Sequence, residues 1–379
     1  QVPDINLLDK AKNKHKQISK DVLEATAALV EEKLTDFGIQ AQVAGILPGP
    51  IITRYELQLA AGTKVSKLSS LAKDIAMSHL GGIDLVNTIH EIICASVLVK
   101  YKGDLNYHPV CVMNSIKNII GDDRDKPSKS LINFAINYLS KFNFEDKNID
   151  DPEKIIGNDK INSAFIGDLE DAYQKGNWAE LKLLMCKIFI VSDRSRAVLD
   201  VLVEFALQNS PKYAVFTYHI LRAYQFQERK EDNWVFIQCM FEQLRMEKPA
   251  AVHKACSVSP DEIRKMVNLS VDLLYFSAID RIWAGDYVRI KGYRRELSHW
   301  LNEMKDLGGN QNLTKEDYRS SSFNKKSFIS LAEKIILNKT TKSEKGKNLV
   351  ILDTIRYASK TVDKFYFKLL CERYNKLIR

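Results

Sequence analysis

The stretch Gly45-Ile46-Leu47-Pro48-Gly49-Pro50-Ile51-Ile52-Thr53-Arg54-Tyr55-Glu56-Leu57 decides how the beginning of the chain folds. Two runs of β-formers, Ile39 to Ile46 and Ile51 to Leu59, flank Leu47-Pro48-Gly49-Pro50, and Pro-Gly is a strong turn signal, so the pattern predicts a two-stranded unit. Upstream, Leu23, Ala27, Val30 and Leu34 recur at helical spacing, with Val22 and Leu29 beside them. Glu and Lys fill the opposite face, and Gly38 stands where a helix C-terminus favours positive φ. Downstream, Val65, Leu68, Leu71, Ala72, Ile75 and Ala76 predict a second helix, closed by Gly81-Gly82. Residues 1–18, polar and lysine-rich apart from Ile5, Leu7 and Leu8, read as a linker. The expected fold is a small α+β N-terminal domain over 19–82, followed by a predominantly all-α multi-helix region.

Beyond Ile83 strand signals fade. Helical periodicity takes over, interrupted by turn-like stretches at Gly121-Asp122-Asp123, Gly157-Asn158-Asp159, Asn209-Ser210-Pro211 and Gly308-Gly309-Asn310. We divide this region into an all-helical domain, 83–312, and a basic helical C-terminal region, 313–379. Ser259-Pro260-Asp261-Glu262 combines an N-cap, a proline at the first helical position and a capping-box Glu, and Thr314 with Asp317 makes a weaker box. Arg196 to Gln208 predicts a helix with Val198, Leu199, Leu202, Phe205 and Ala206 on one face. The preceding Glu180 to Ile190 is apolar enough to be buried. No convincing fixed repeat period emerges, so a solenoid is left as an option only.

With 379 residues the chain has room for two to three domains, and 45% hydrophobic with 27% charged residues is the composition of a globular protein. The net charge of +8 permits contact with nucleic acid, although abundant Lys, Asn and Ile also follow from an AT-rich genome. Six cysteines, at 94, 111, 186, 239, 256 and 371, form no CxxC pair and no compact disulfide framework, so the expectation is buried reduced thiols in a cytoplasmic setting. No apolar run reaches the length of a membrane span. The opening Gln-Val-Pro-Asp, without Met, reads as a fragment of something longer.

Ile5-Asn6-Leu7-Leu8-Asp9, the helix carrying Leu23, Glu24, Ala25, Thr26 and Leu29 and continuing through Glu31-Glu32-Lys33-Leu34, and then Phe37-Gly38 resemble the entry to the α domain of FtsK/SpoIIIE-type DNA translocases. The hallmark run follows: Gly49, Pro50, Thr53, Arg54 and Glu56 stand as in the family's Gly-Pro-x-x-Thr-Arg-aromatic-Glu pattern. Gly62-Thr63-Lys64-Val65-Ser66 and Leu71-Ala72-Lys73-Asp74-Ile75-Ala76 continue it, so the resemblance covers residues 5–80. It implies a homo-oligomeric ring assembled through this domain around double-stranded DNA, in the context of chromosome segregation and cell division. Arg54, Lys64, Lys67 and Lys73 are the candidate DNA contacts, chosen by charge. After Ala76 the family pattern breaks off into Met77-Ser78-His79-Leu80-Gly81-Gly82-Ile83 and unrelated helices. Two origins fit this truncation, a natural fusion or the joining of two unrelated reading frames.

The motor that accompanies the family's α domain needs GxxxxGK[ST] to cradle phosphates, and no such run occurs. Gly346-Lys347-Asn348 before Leu349-Val350-Ile351-Leu352-Asp353 mimics parts of it without the hydroxyl, the acidic partner or the order. The first expectation is therefore a non-catalytic portion of an FtsK-like translocase joined to a helical domain, with no cofactor. The alternative makes the helical region a protein-interaction module or an oxidoreductase-like domain, because Tyr107-His108-Pro109 and Tyr218-His219 resemble segments of questin-oxidase-like proteins. His108 and His219 are then the weak metal candidates. His90 and Cys94 share a helical face at i, i+4, but two ligands do not make a zinc site, and paired core residues are the plainer reading. From Arg319 to Arg379, fifteen basic and five acidic residues are interleaved with Tyr357, Phe365, Tyr366, Phe367 and Tyr374. That pattern suits a nucleic-acid face or, with Ile355, Val362, Phe365 and Leu369 as a core stripe, a solvated basic helix.

Overall fold

The computed structural model describes residues 23–28, 31–32, 41–48, 53–59, 85–145, 151–157, 164–226, 229–264, 273–307 and 325–361. The chain divides into two compact units, residues 1–82 and 83–379.

In the first unit the residues at 23–28 and 31–32 are helical, and Leu23 and Ala27, one turn apart, are both buried. Strands β1 (Ala41–Pro48) and β2 (Thr53–Leu59) pair antiparallel, from Pro48 opposite Thr53 to Ala41 opposite Leu59. The register slips between Val43 and Gly45, so β1 carries one extra residue, a bulge that bends a ribbon and sharpens its twist. The Val43 N–H donates to Glu31 Oε1 at 2.6 Å, which ties the hairpin to the helical segment before it. Of the α+β unit expected over 19–82, the described residues carry these two pieces. The linker 1–18, the Gly49-Pro50 turn and the second helix from Val65 to Ala76 lie outside them.

Among its described residues the second unit is helical, apart from an isolated bridge between Val99 and Phe144. Its helices are α1 (Leu85–Val97), α2 (Pro109–Ile120), α3 (Lys129–Leu139), α4 (Pro152–Ile156), α5 (Ile166–Gln174), α6 (Trp178–Val191), α7 (Ala197–Leu207), α8 (Ser210–Phe226), α9 (Asn233–Leu244), α10 (Pro260–Arg264), α11 (Leu273–Trp283), α12 (Ile290–Leu307), α13 (Lys325–Leu337) and α14 (Lys342–Thr361). No described helix is long and apolar enough to cross a membrane.

Helices α2 and α8 form the centre. Helix α2 packs against α1, α3, α8 and α14, and α8 packs against α2, α7 and α11. Helix α7 is buried on every side, with Val198, Leu199, Leu202, Phe205 and Ala206 all in the core. The apolar run at 180–190 forms most of α6, whose Leu181, Met185, Cys186, Ile188 and Phe189 face inward.

Local signals fix the helix starts. Pro109 follows His108, whose Nδ1 accepts from the Val110 N–H at 3.2 Å; Ser128 Oγ accepts from the Leu131 N–H; and Glu262 Oε1 accepts from the Ser259 N–H at 3.1 Å, the box read from the sequence. The weaker box at Thr314 lies outside the described residues. Helices α13 and α14, which fall within 313–379, join the same core as α2, α3 and α11. Cys94, Cys111, Cys186 and Cys239 are buried thiols in no disulfide, Cys256 is half-exposed, and Cys371 lies outside the described residues.

Candidate anion site in the helical unit

Helices α1, α2, α8, α11 and α14 converge around a cavity of about 390 Å³. Leu85, Val86, Ile89, Ile120 and Phe226 make an apolar wall, and Lys117, Arg124, Arg222, Arg281, Arg356 and Lys360 supply positive charge. Two carboxylates answer these six side chains, leaving an excess of four charges when Lys117 is protonated and three when it is not. Asp353 lies 2.9 Å from Arg281 Nη1, and Asp122 lies 2.5 Å from Arg356 Nη2 and 3.8 Å from Lys360 Nζ.

The paired cations are structural supports. Arg281 is sandwiched between the rings of Tyr218 and Tyr357, 4.7 and 4.3 Å from their centroids, an arrangement that suits a planar guanidinium. Its Nη2 donates to the Asp353 carbonyl at 2.8 Å, while its buried Nε has no hydrogen-bond partner among the described residues. Asp353 is fully buried and also accepts from Asn118 Nδ2 at 3.0 Å. Burial alone would raise its pKa, but Arg281 and Arg356 outweigh that and hold the carboxyl below the usual carboxylate range.

The remaining cations are available to a ligand. Among the described residues Lys117, Arg124 and Arg222 form no ion pair; Lys117 Nζ sits 5.1 Å from the Phe226 centroid, and Arg222 Nη1 donates to Gln225 at 2.8 Å. Lys117 is half-buried against apolar side chains. Burial, reinforced by repulsion from Arg222, pushes its pKa down to about 7, with Asp353 acting in the opposite sense. An unpaired cation held in a poorly hydrated place gains more from an arriving anion than a solvated one does.

Among the described residues His108 and His219 assemble no centre. His108 is fully buried between the rings of Tyr101 and Phe216, at 5.0 and 5.1 Å, and acts as the cap of α2. His219 Nδ1 meets Asn114 Nδ2 at 2.8 Å. Burial pushes the pKa of each down to about 3, so both are neutral at pH 7. Among the described residues neither belongs to a group of three metal-ligand atoms, whereas His90 and Cys94 lie together on α1 beside Asp232. The Leu349 to Asp353 run, which mimics a strand ending in an acid, is helical within α14.

The sequence singled out Tyr357 and counted Arg356 and Lys360 among the C-terminal basic residues. It gave no sign that Lys117, Arg222 and Arg281 would meet them. In the first unit, β2 places Thr53, Arg54 and Glu56 opposite Pro48, Leu47 and Gly45, and Lys64, Lys67 and Lys73 lie outside the described residues.

That register carries Thr53, Arg54 and Glu56 of the hallmark run on β2. Residues 2–91 match the FtsK alpha domain. The match is wider than residues 5–80: it passes the departure read at Ala76 and ends inside α1, so it reaches from the first unit into the first helix of the second. Over this region the chain is 53% identical across 79 residues to the DNA translocase FtsK of Shewanella oneidensis, covering 21% of this chain and 9% of that protein. It is 51% identical across 77 residues to DNA translocase FtsK of Pseudomonas aeruginosa, covering 20% and 10%. DNA translocase FtsK 2 of Ralstonia nicotianae is 43% identical across 89 residues, covering 23% and 11%. The chain thus spans about a tenth of the length of the curated relatives it matches. No solved structure matches it.

Proposed function

We propose that this cytoplasmic chain joins an FtsK-type DNA-guiding segment to a helical receptor for a small phosphate-bearing ligand. In this reading residues 19–82 form an α+β unit that assembles into a homo-oligomeric ring on duplex DNA, with Arg54, Lys64, Lys67 and Lys73 toward the phosphates, and supply no motor. Backbone charge suffices for such tracking, because counterion release needs no base contact.

The receptor reading rests on one observation, the excess of three to four positive charges, according to the protonation of Lys117, around a concavity in which Lys117, Arg124 and Arg222 form no ion pair among the described residues. A volume of about 390 Å³ suits a small ligand's anionic group, whereas a duplex backbone needs an extended track. The apolar wall of Leu85, Val86, Ile89 and Phe226 suits a ligand that carries a non-polar part beside its phosphate.

The full chain should bind pyrophosphate in a calorimetric titration, and Lys117→Gln with Arg222→Gln should weaken that binding at least about tenfold, the equivalent of one charge-assisted contact. Fluorescence anisotropy should show binding to a labelled duplex that weakens steeply with salt and ignores both substitutions. Pyrophosphate binding insensitive to the pair would overturn the receptor reading. A chain that stays off duplex DNA at low salt would overturn the guiding role.

A further inference from the structure

Outside the cavity, three metal-ligand side chains converge in the core of the helical unit. His90 and Cys94 stand four residues apart on α1 and so share one face, and Asp232 ends the short 3₁₀ turn Lys230–Asp232 that leads into α9. All three are buried, and their ligand atoms lie within 4.8 Å of one another. His90 Nε2 is 3.0 Å from Asp232 Oδ2 and 3.5 Å from Cys94 Sγ. Tetrahedral zinc with ordinary bond lengths places a nitrogen about 3.6 Å from a thiolate sulfur and about 3.3 Å from a carboxylate oxygen. The side chains are therefore already close to the spacing of a coordination shell.

The present occupant of their meeting point is the Arg229 guanidinium. Its Nε lies 3.1 Å from His90 Nε2 and 3.0 Å from Asp232 Oδ2, and its Nη2 reaches exposed Glu91. Asp232 Oδ2 stands 3.0 Å from both nitrogens and accepts from each, so the guanidinium supplies the positive charge that this carboxylate faces. A divalent cation in the guanidinium's place would be met by nitrogen, thiolate and carboxylate electron pairs at one positive centre. Arg229 can make room: its side chain is 45% exposed, and its Nη2 is already held by Glu91, which is 65% exposed and can keep the guanidinium outside the core.

We propose that His90, Cys94 and Asp232 bind a zinc-class divalent ion for which Arg229 is a displaceable stand-in. The mixed nitrogen, sulfur and oxygen set selects a borderline-soft metal over calcium or magnesium, which take oxygen ligands. Three protein ligands leave a fourth position, on the side from which Arg229 enters.

The test loads the full chain with zinc, and with cobalt as a coloured substitute. The wild-type chain should retain one zinc ion after gel filtration and show a thiolate-to-cobalt charge-transfer band. Cys94→Ser should abolish that band in a chain whose circular dichroism is unchanged. Arg229→Gln, at a half-exposed position outside the ligand set, should raise zinc affinity at least about tenfold against a chromophoric chelator. A folded Arg229→Gln chain that takes up no metal would overturn the site, and so would a cobalt spectrum indifferent to Cys94→Ser.

Discussion

Lys117 shows how one side chain's surroundings set a binding property. It sits on the third turn of α2 with apolar atoms around its stem and Arg222 nearby, and burial and repulsion bring its pKa down to about 7. Its charge is therefore only partly present at neutrality. A bound anion favours the protonated form, so affinity should be full below pH 7 and fall about tenfold per pH unit above it, until the pKa of the complex is reached. Sulfate is a suitable probe, since its own charge does not change in this range. Calorimetric titration between pH 6 and 8 should show the fall. Lys117→Arg, whose guanidinium stays protonated, should flatten it, and Lys117→Gln should be weak throughout. A wild-type affinity constant across this range would mean that the lysine's charge does not enter binding.

At the scale of an element, α14 does most to hold the cavity's walls in place. Gly346 lets it lie against Tyr138, where a methyl group would come within 2.7 Å of the ring. Asp353 then engages α2 through Asn118 and α11 through Arg281, while Arg356 reaches Asp122 just beyond α2. Asp353→Asn would remove the charge that compensates the buried Arg281 and turn an amide N–H toward existing donors. The expected loss is about 3–5 kcal/mol, measured by urea denaturation, because breaking a buried pair strands the partner charge. A cost near zero would mean that Arg281 finds solvent or another partner. This helix also marks where sequence reading stops. Of the stripe read at Ile355, Val362, Phe365 and Leu369, Ile355 is in the core and the other three lie outside the described residues. The strand-like look of Leu349 to Asp353 misled, because a continuous apolar run suits a buried helix equally well. The box at Ser259 to Glu262 was legible. The strand pair was legible too, since runs of β-formers are a local signal, while the Pro-Gly turn read between them lies outside the described residues. The cavity was not legible, because its cations come from α2, the turn after it, α8, α11 and α14 and are brought together only by packing. For the same reason Asp232 could not be assigned to His90 and Cys94: it lies 142 residues beyond His90 and belongs to no recurring motif.

For the whole helical unit, the buried ionisable groups predict a one-sided response to acid. His108 and His219 are neutral when folded, with pKa values pushed down to about 3 by burial, while the unfolded chain protonates them near 6.5. Below pH 6.5 the unfolded state therefore binds more protons, and stability falls with pH until about pH 3. Each histidine contributes up to about 1.4 kcal/mol per pH unit. Asp353, whose folded pKa is depressed, acts in the same direction at lower pH: its contribution is complete above the unfolded carboxylate value and is lost as pH falls through the folded one. The urea midpoint of the full chain should hence drop steeply between pH 6.5 and 4.5. His108→Asn retains a capping acceptor for the Val110 N–H, and His219→Gln retains a polar partner for Asn114, yet neither replacement titrates. Both variants will start from a lower stability at pH 7.5, and that offset is not the readout. The slope is: each should lose about 1.4 kcal/mol per pH unit of acid dependence relative to the parent chain. Were both slopes to match the parent, the two imidazoles would have to titrate alike in the folded and unfolded chains. That would contradict their enclosure at the junction of α2 and α8, around which the helical unit is built.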